Sequence, residues 1–224
     1  LNTDNNTPVV IAIDGPSGAG KGTLSQLVAK HLGYHLLDSG ALYRLVALSA
    51  HKLNANLQDE QAIADIASQL HVKFDVAGDS TRILLSGEDV TDAIRHEAVS
   101  MSASVVAAYP KVRTALLQRQ KDFAQQPGLV ADGRDMGTTV FPQAQIKIFL
   151  TASAEARAER RFKQLTQKGV DVDMAELIRD IKERDDRDTQ RETSPLKPAA
   201  DAVVLDSTSL SIEEVLKAIL DRVS

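Results

Sequence analysis

Apolar and polar positions change rhythm twice along the chain. Val9-Val10-Ile11-Ala12-Ile13 is apolar without alternation, which predicts a buried parallel strand over Pro8–Ile13. Leu24, Leu27, Val28 and Leu32 then recur at helical spacing, predicting a helix from Lys21 to Leu32 that ends at Gly33. A short strand over Tyr34–Leu37 closes at Asp38-Ser39-Gly40. A helix over Ala41–Leu53 carries Leu42, Leu45, Val46 and Ser49 on one face, with Tyr43 and Arg44 turned elsewhere, and another helix spans Asp59–Leu70. In the next stretch Val72, Phe74 and Val76 alternate with Lys73 and Asp75, the period of a half-solvated strand. With a turn at Gly78-Asp79-Ser80, the run Ile83-Leu84-Leu85 and a short piece near Asp89-Val90, this predicts a small antiparallel sheet. Helices over Asp92–Ala107 and Pro110–Gln125 follow, Pro110 suiting a first helical position.

Gln126-Pro127-Gly128 marks a return to the first rhythm. Leu129-Val130-Ala131 predicts a buried strand ending at Asp132-Gly133-Arg134-Asp135, and Gln145–Leu150 predicts the next. A charged helix spans Ser153–Thr166, a break falls at Lys168-Gly169-Val170-Asp171, and a second charged helix spans Met174–Arg191, stopped by Ser194-Pro195 and Lys197-Pro198. Ala202–Leu205 is a last strand. Ser211, with Glu214 three residues on, makes a capping box for a terminal helix. Buried strands alternating with helices indicate a doubly wound α/β core, whose ligands gather at the carboxyl ends of the strands.

Composition narrows the field. A length of 224 residues, 43% hydrophobic and 25% charged, suits one substantial core with a smaller lobe. A net charge of -5 gives no footprint for nonspecific nucleic-acid binding. The absence of cysteine removes disulfide and thiolate-metal chemistry and is compatible with a reducing cytoplasm. No apolar run reaches the length of a membrane span. The polar stretch 1–7 reads as a loose tail. His31, His35, His51, His71 and His96 lack metal spacing and read as structural or exposed.

Candidate chemistry concentrates at the predicted strand ends. Gly15, Pro16, Ser17, Gly18, Ala19, Gly20, Lys21, Gly22 and Thr23 lie between a strand and a helix, the setting of a phosphate-binding loop. The N–H groups of such a loop point at phosphate oxygens, and Lys21 adds a mobile charge. The residue after the lysine is Gly22 and the hydroxyl arrives on Thr23, so direct magnesium ligation by Thr23 stays open. Asp132, ending a buried strand, suits magnesium or its bound water, the alternative being a loop-capping turn residue. Arg184, Arg187 and Arg191 share a helix side. They read either as surface charge paired with Asp180 and Glu183 or, following a glycine break, as the arginines of a hinged lid. Arg157, Arg160 and Arg161 read equally as a base-stacking group or as exposed charge against Glu155 and Glu159.

Taken in order, Gly15 to Thr23, Asp38-Ser39-Gly40, Asp132-Gly133-Arg134-Asp135 and Glu183-Arg184-Asp185-Asp186-Arg187-Asp188 resemble the nucleoside monophosphate kinases. Asp14 to Thr23, Leu37 to Gly40 and Ala131 to Gly137 are most similar to the bacterial cytidylate kinases, and the insert near 71–91 resembles their enlarged monophosphate-binding lobe. The resemblance runs from about residue 8 to the C-terminus. It implies a P-loop nucleoside-triphosphate fold with a five-stranded parallel sheet, an inserted lobe and a short lid. The expected organisation is a tail over 1–7, core segments 8–40, 127–168 and 194–224, a lobe over 41–126 and a lid over 169–193. It implies γ-phosphoryl transfer from ATP to CMP or dCMP with magnesium, in a cytoplasmic monomer that binds neither nucleic acid nor membrane.

Residue by residue, the resemblance assigns ATP to Gly15 through Thr23 and to Arg160. It assigns CMP to Ser39, Tyr43, Arg44, Ser104, Arg113, Arg134, Asp135, Asp188 and Arg191. Catalysis falls to Lys21, Asp132, Arg184 and Arg191, and magnesium to Thr23 and Asp132, directly or through water. Rival readings are a metabolite kinase using Asp38 as a base, and a nucleotide-dependent switch with no second nucleotide site.

Overall fold

The computed structural model describes residues 7–77, 80–167 and 169–223. The tail up to residue 6, the Gly78-Asp79 part of the expected turn and Lys168 of the expected break lie outside the described residues. The chain divides into two compact units, one formed by Leu1–Asp38 with Lys121–Ser224, the other by Ser39–Gln120.

The first unit is built on a parallel sheet of five strands. These are β1 (Val9–Asp14), β2 (His35–Asp38), β6 (Gly128–Gly133), β7 (Ile146–Thr151) and β8 (Val203–Asp206), in the order β2-β6-β1-β7-β8. Central β1 and β6 carry no alternation because both their faces are covered. Ile11, Ile13, Val130 and Ile148 pack with Val28 of α1 (Lys21–Leu32) and Ile219 of α8 (Ile212–Leu220). The Ser211–Glu214 capping box closes the start of α8. The remaining helices are α6 (Ala154–Gln167) and α7 (Met174–Gln190), which pack against each other. Asp173 caps α7 by accepting from Glu176 N at 3.0 Å.

Strand boundaries differ from expectation by about a residue, and the difference matters. Asp14 and Asp38 are the last residues of their strands, and Asp132, expected at a strand end, is the next-to-last residue of β6. Register places Asp132 beside Asp38 on one side and Ile13 on the other, and Asp14 beside Gly133, so all three acids lie at the carboxyl end of the sheet.

The second unit holds α2 (Ser39–Lys52), α3 (Glu60–Ser68), α4 (Glu97–Val106) and α5, whose span Pro110–Lys121 runs one residue past the unit. An antiparallel sheet of β3 (Val72–Ala77), β4 (Ser80–Leu85) and β5 (Glu88–Asp89) completes it. Two expectations are corrected. The helix expected over Asp92–Ala107 is a short 3₁₀ turn at Ala93–Arg95, an extended His96 and then α4. A continuous helix would set Ile94 and Val99 about 140° apart; the break lets both be buried. Helix α2 is buried nearly all round, Tyr43 included, rather than along one stripe.

Candidate active site

Between β1 and α1 the chain turns through Gly15 to Gly20. At Gly15, φ is 152° and a Cβ would stand 2.0 Å from Leu150 O, so only glycine lets the loop lie this close to β7. Gly20 is the N-cap of α1 at φ 96°, no side chain caps the helix, and no acid occupies its first turn. The first N–H groups of α1 and its dipole are thereby left to an anion. Lys21 is buried, donates to Pro16 O at 2.9 Å and stands 4.0 Å from Asp132 Oδ1. Burial pulls the Lys21 ammonium down to about 8, against the upward pull of Asp132.

The neighbouring charges form a compact network. Asp14 accepts from Met136 N and Gly137 N, each at 2.8 Å, and so ties down the chain just after Arg134 and Asp135. Burial pushes the Asp14 carboxyl up to about 6, although both backbone donors pull the other way. Arg134 donates to Asp188 of α7. Arg191 Nη1 lies 4.0 Å from Asp188 Oδ1, and Arg191 Nε donates to Ser194 O at 2.6 Å. Burial works against the charge on Asp188, but Arg134, Arg184 and Arg191 outweigh it and hold its carboxyl below the ordinary range. Arg134 in turn is raised: its burial is outweighed by Asp188, Asp132 and Asp185.

Helix α6 presents two arginines to the loop. Arg160 donates to Ser207 O and lies within 3.5 Å of Ala19 O. Arg157 is buried, and donates to Ala152 O at 3.0 Å, to Ser17 O at 2.9 Å and to both oxygens of Asp185.

In the second unit, two side-chain contacts link α2 to α5. Ser39 Oγ donates to Gln120 Oε1 at 2.6 Å, and the Arg113 guanidinium lies over the Tyr43 ring, 5.4 Å from its centroid. Arg113 also donates to Ala107 O at 2.9 Å, at the end of α4, the helix that carries buried Ser104. The Nε of Arg44, on the same helix as Tyr43, is buried without a hydrogen-bond partner.

An uncapped helix start, buried Lys21 and the arginines gathered on Asp188 can neutralise and align phosphates, and Asp132 can hold a cation or its water. The sequence model of the cytidylate kinase family matches residues 11–224. The chain belongs to that family. The cytidylate kinase of Stutzerimonas stutzeri is 60% identical over 217 residues, covering 96% of this chain and 95% of its own. Those of Aeromonas hydrophila and Pseudomonas aeruginosa are 57% and 59% identical, each over 94% of this chain and 92% and 93% of their own.

Against that family membership, the first unit brings together Lys21, Asp132, Arg134, Arg184, Asp188 and Arg191, all expected as site residues. Asp135 is buried beside them in sequence, and Thr23 is exposed on α1. The second unit joins Tyr43 to Arg113 and leaves Ser39 on Gln120. Sequence reasoning singled out none of Asp14, Gln120 and Asp185, and left Arg157 between base stacking and exposed charge, whereas it is buried against the loop. A strand-ending Asp before the glycine loop was the available signal for Asp14. Nothing in the run Gln118-Arg119-Gln120-Lys121 marks Gln120 for burial.

Proposed function

We propose that the protein transfers the γ-phosphoryl group of ATP to CMP, and to dCMP, giving the nucleoside diphosphate and ADP. The observation that carries this is the glycine-rich turn with buried Lys21 beside Asp132, facing an arginine group gathered on Asp188. The acceptor is a phosphate oxygen, already ionised at neutral pH. No side chain has to remove a proton, so catalysis reduces to alignment and charge neutralisation. Gly15 through Thr23 hold the ATP phosphates, with Arg160 on the adenine side. Lys21, Arg184 and Arg191 offset charge on the transferring group. Residues 169–193 act as a lid that excludes water.

Magnesium fits the donors present. No cluster of three or more metal-binding side chains occurs among the described residues. Asp132 therefore offers a single carboxylate, which suits an ion that keeps its waters and takes phosphate oxygens. Thr23 and Asp132 are the residues to hold it, directly or through water. When bound, the metal neutralises charge on the β- and γ-phosphates.

For CMP, the residues that the family resemblance assigns are Ser39, Tyr43, Arg44, Ser104, Arg113, Arg134, Asp135, Asp188 and Arg191. A carboxylate at Asp135 can accept from the amino group at position 4 of cytosine and opposes the carbonyl of uracil there. A coupled ADP assay across CMP, dCMP, UMP, AMP and GMP tests the reading. Conversion of CMP and dCMP ahead of the rest is expected; no turnover of any pyrimidine monophosphate would sink it. Asp135→Ala should narrow the CMP/UMP ratio of kcat/KM by about fivefold or more, a discriminating base contact being worth about 1–3 kcal/mol. An unchanged ratio removes Asp135 from base reading.

A further inference from the structure

Side chains hold the P-loop's backbone carbonyls. Pro16 O accepts from Lys21, Ser17 O from Arg157, and Ala19 O from Ser207 Oγ at 3.3 Å. In a trans peptide the carbonyl and the following N–H point in opposite directions. A donor on Ser17 O therefore fixes where the Gly18 N–H points, and the Gly18 N–H is one of the groups a phosphate would meet. The Cβ of Arg157 would also be 3.4 Å from a Cβ at Gly18, so the stem of Arg157 forms the wall behind that peptide.

The same guanidinium is gripped from the other side. Its Nη1 donates to Ser17 O and to Asp185 Oδ1 at 3.0 Å, its Nη2 to Asp185 Oδ2, and its Nε to Ala152 O. Three chain segments thus share one planar fork, an arrangement lysine cannot reproduce. Asp185 sits next to Arg184 and one turn before Asp188, which holds Arg134. The seating of α7 is therefore coupled to the loop through Asp185.

We propose that Asp185 and Arg157 are positioning residues that link the seating of α7, and so of Arg184, to the orientation of the P-loop peptide at Ser17–Gly18. Arg157 serves the phosphate-binding backbone and not a nucleotide base. The inference rests on ATP occupying the P-loop.

The test is steady-state kinetics of Asp185→Asn, Arg157→Lys, their double variant and Asp185→Glu, with ATP and CMP each varied and Tm measured on every protein. Each of the first two should raise the KM for ATP or lower kcat about tenfold. The double variant should be no worse than the worse single one, and Asp185→Glu should recover most of the loss. Asp185→Asn with wild-type kcat and ATP KM overturns the proposal, even if its Tm falls. So do additive losses in the double variant, which would mean that Arg157 works without Asp185. An inactive wild type would overturn the kinase reading itself and this proposal with it; an active wild type matched by Asp185→Asn overturns this proposal alone.

Discussion

Single residues in this site are tuned by burial as much as by charge. Lys21 lies near 8 because burial disfavours its ammonium more than Asp132 restores it. Above that pH the free enzyme loses the charge that the proposed reaction sets against the outer phosphates. The kcat/KM for ATP, which reports the free enzyme, should therefore fall with an inflection near pH 8; a flat profile to pH 9.5 would contradict the assignment. Asp14 shows the opposite sign. Its folded pKa of about 6 lies above the ordinary 3.8, so the folded state holds the proton more tightly. The stabilisation from that proton is complete below pH 3.8 and lost as pH rises through about 6. Wild type should lose up to about 3 kcal/mol relative to non-titrating Asp14→Asn across that window. Denaturant unfolding of both proteins at pH 4 to 7 measures the difference.

At the scale of elements, α7 is where a surface reading and a functional reading compete. Its composition is that of a solvated helix, and Arg179–Glu176 at 3.8 Å is such a pair. Yet Asp185 and Asp188, one turn apart, are taken up by Arg157 and Arg134 from other segments, and Asp188 is buried. A helix held this way can carry Arg184 and Arg191 to a transferring phosphoryl group. Arg184→Ala should lower kcat by about a thousandfold, the scale of a lost transition-state arginine, with little change in Tm. Retained kcat would remove the lid from catalysis. The patterns that announce elements were legible along the chain: unalternated β1 and β6, the glycine turn, and the capping box of α8. The break at His96 was not, because burying both Ile94 and Val99 depends on what surrounds them.

For the molecule as a whole, the two nucleotides of the proposed reaction are both anions, on a chain of net charge -5. Binding must therefore come from local arginine and backbone groups and not from a general field. A nucleotide-dependent switch has no second nucleotide site, whereas this reading requires one. CMP alone, at about a hundred times its Kd, should stabilise the folded protein by about 2.7 kcal/mol and raise Tm; no shift from CMP without ATP would favour the switch. No helix among the described residues is long and apolar enough to cross a membrane. What the amino-acid order determined by itself was the alternation of buried strands and helices, the phosphate loop and the family it belongs to, because local spacing dictates backbone form and short motifs carry their own chemistry. Only the tertiary structure decided that Asp14 binds the chain after Arg134, that Gln120 takes Ser39, and that Arg157 joins Ser17 to Asp185. Those partners lie far apart in sequence, and a charged side chain looks the same in a string of letters whether it meets water or a buried counter-charge.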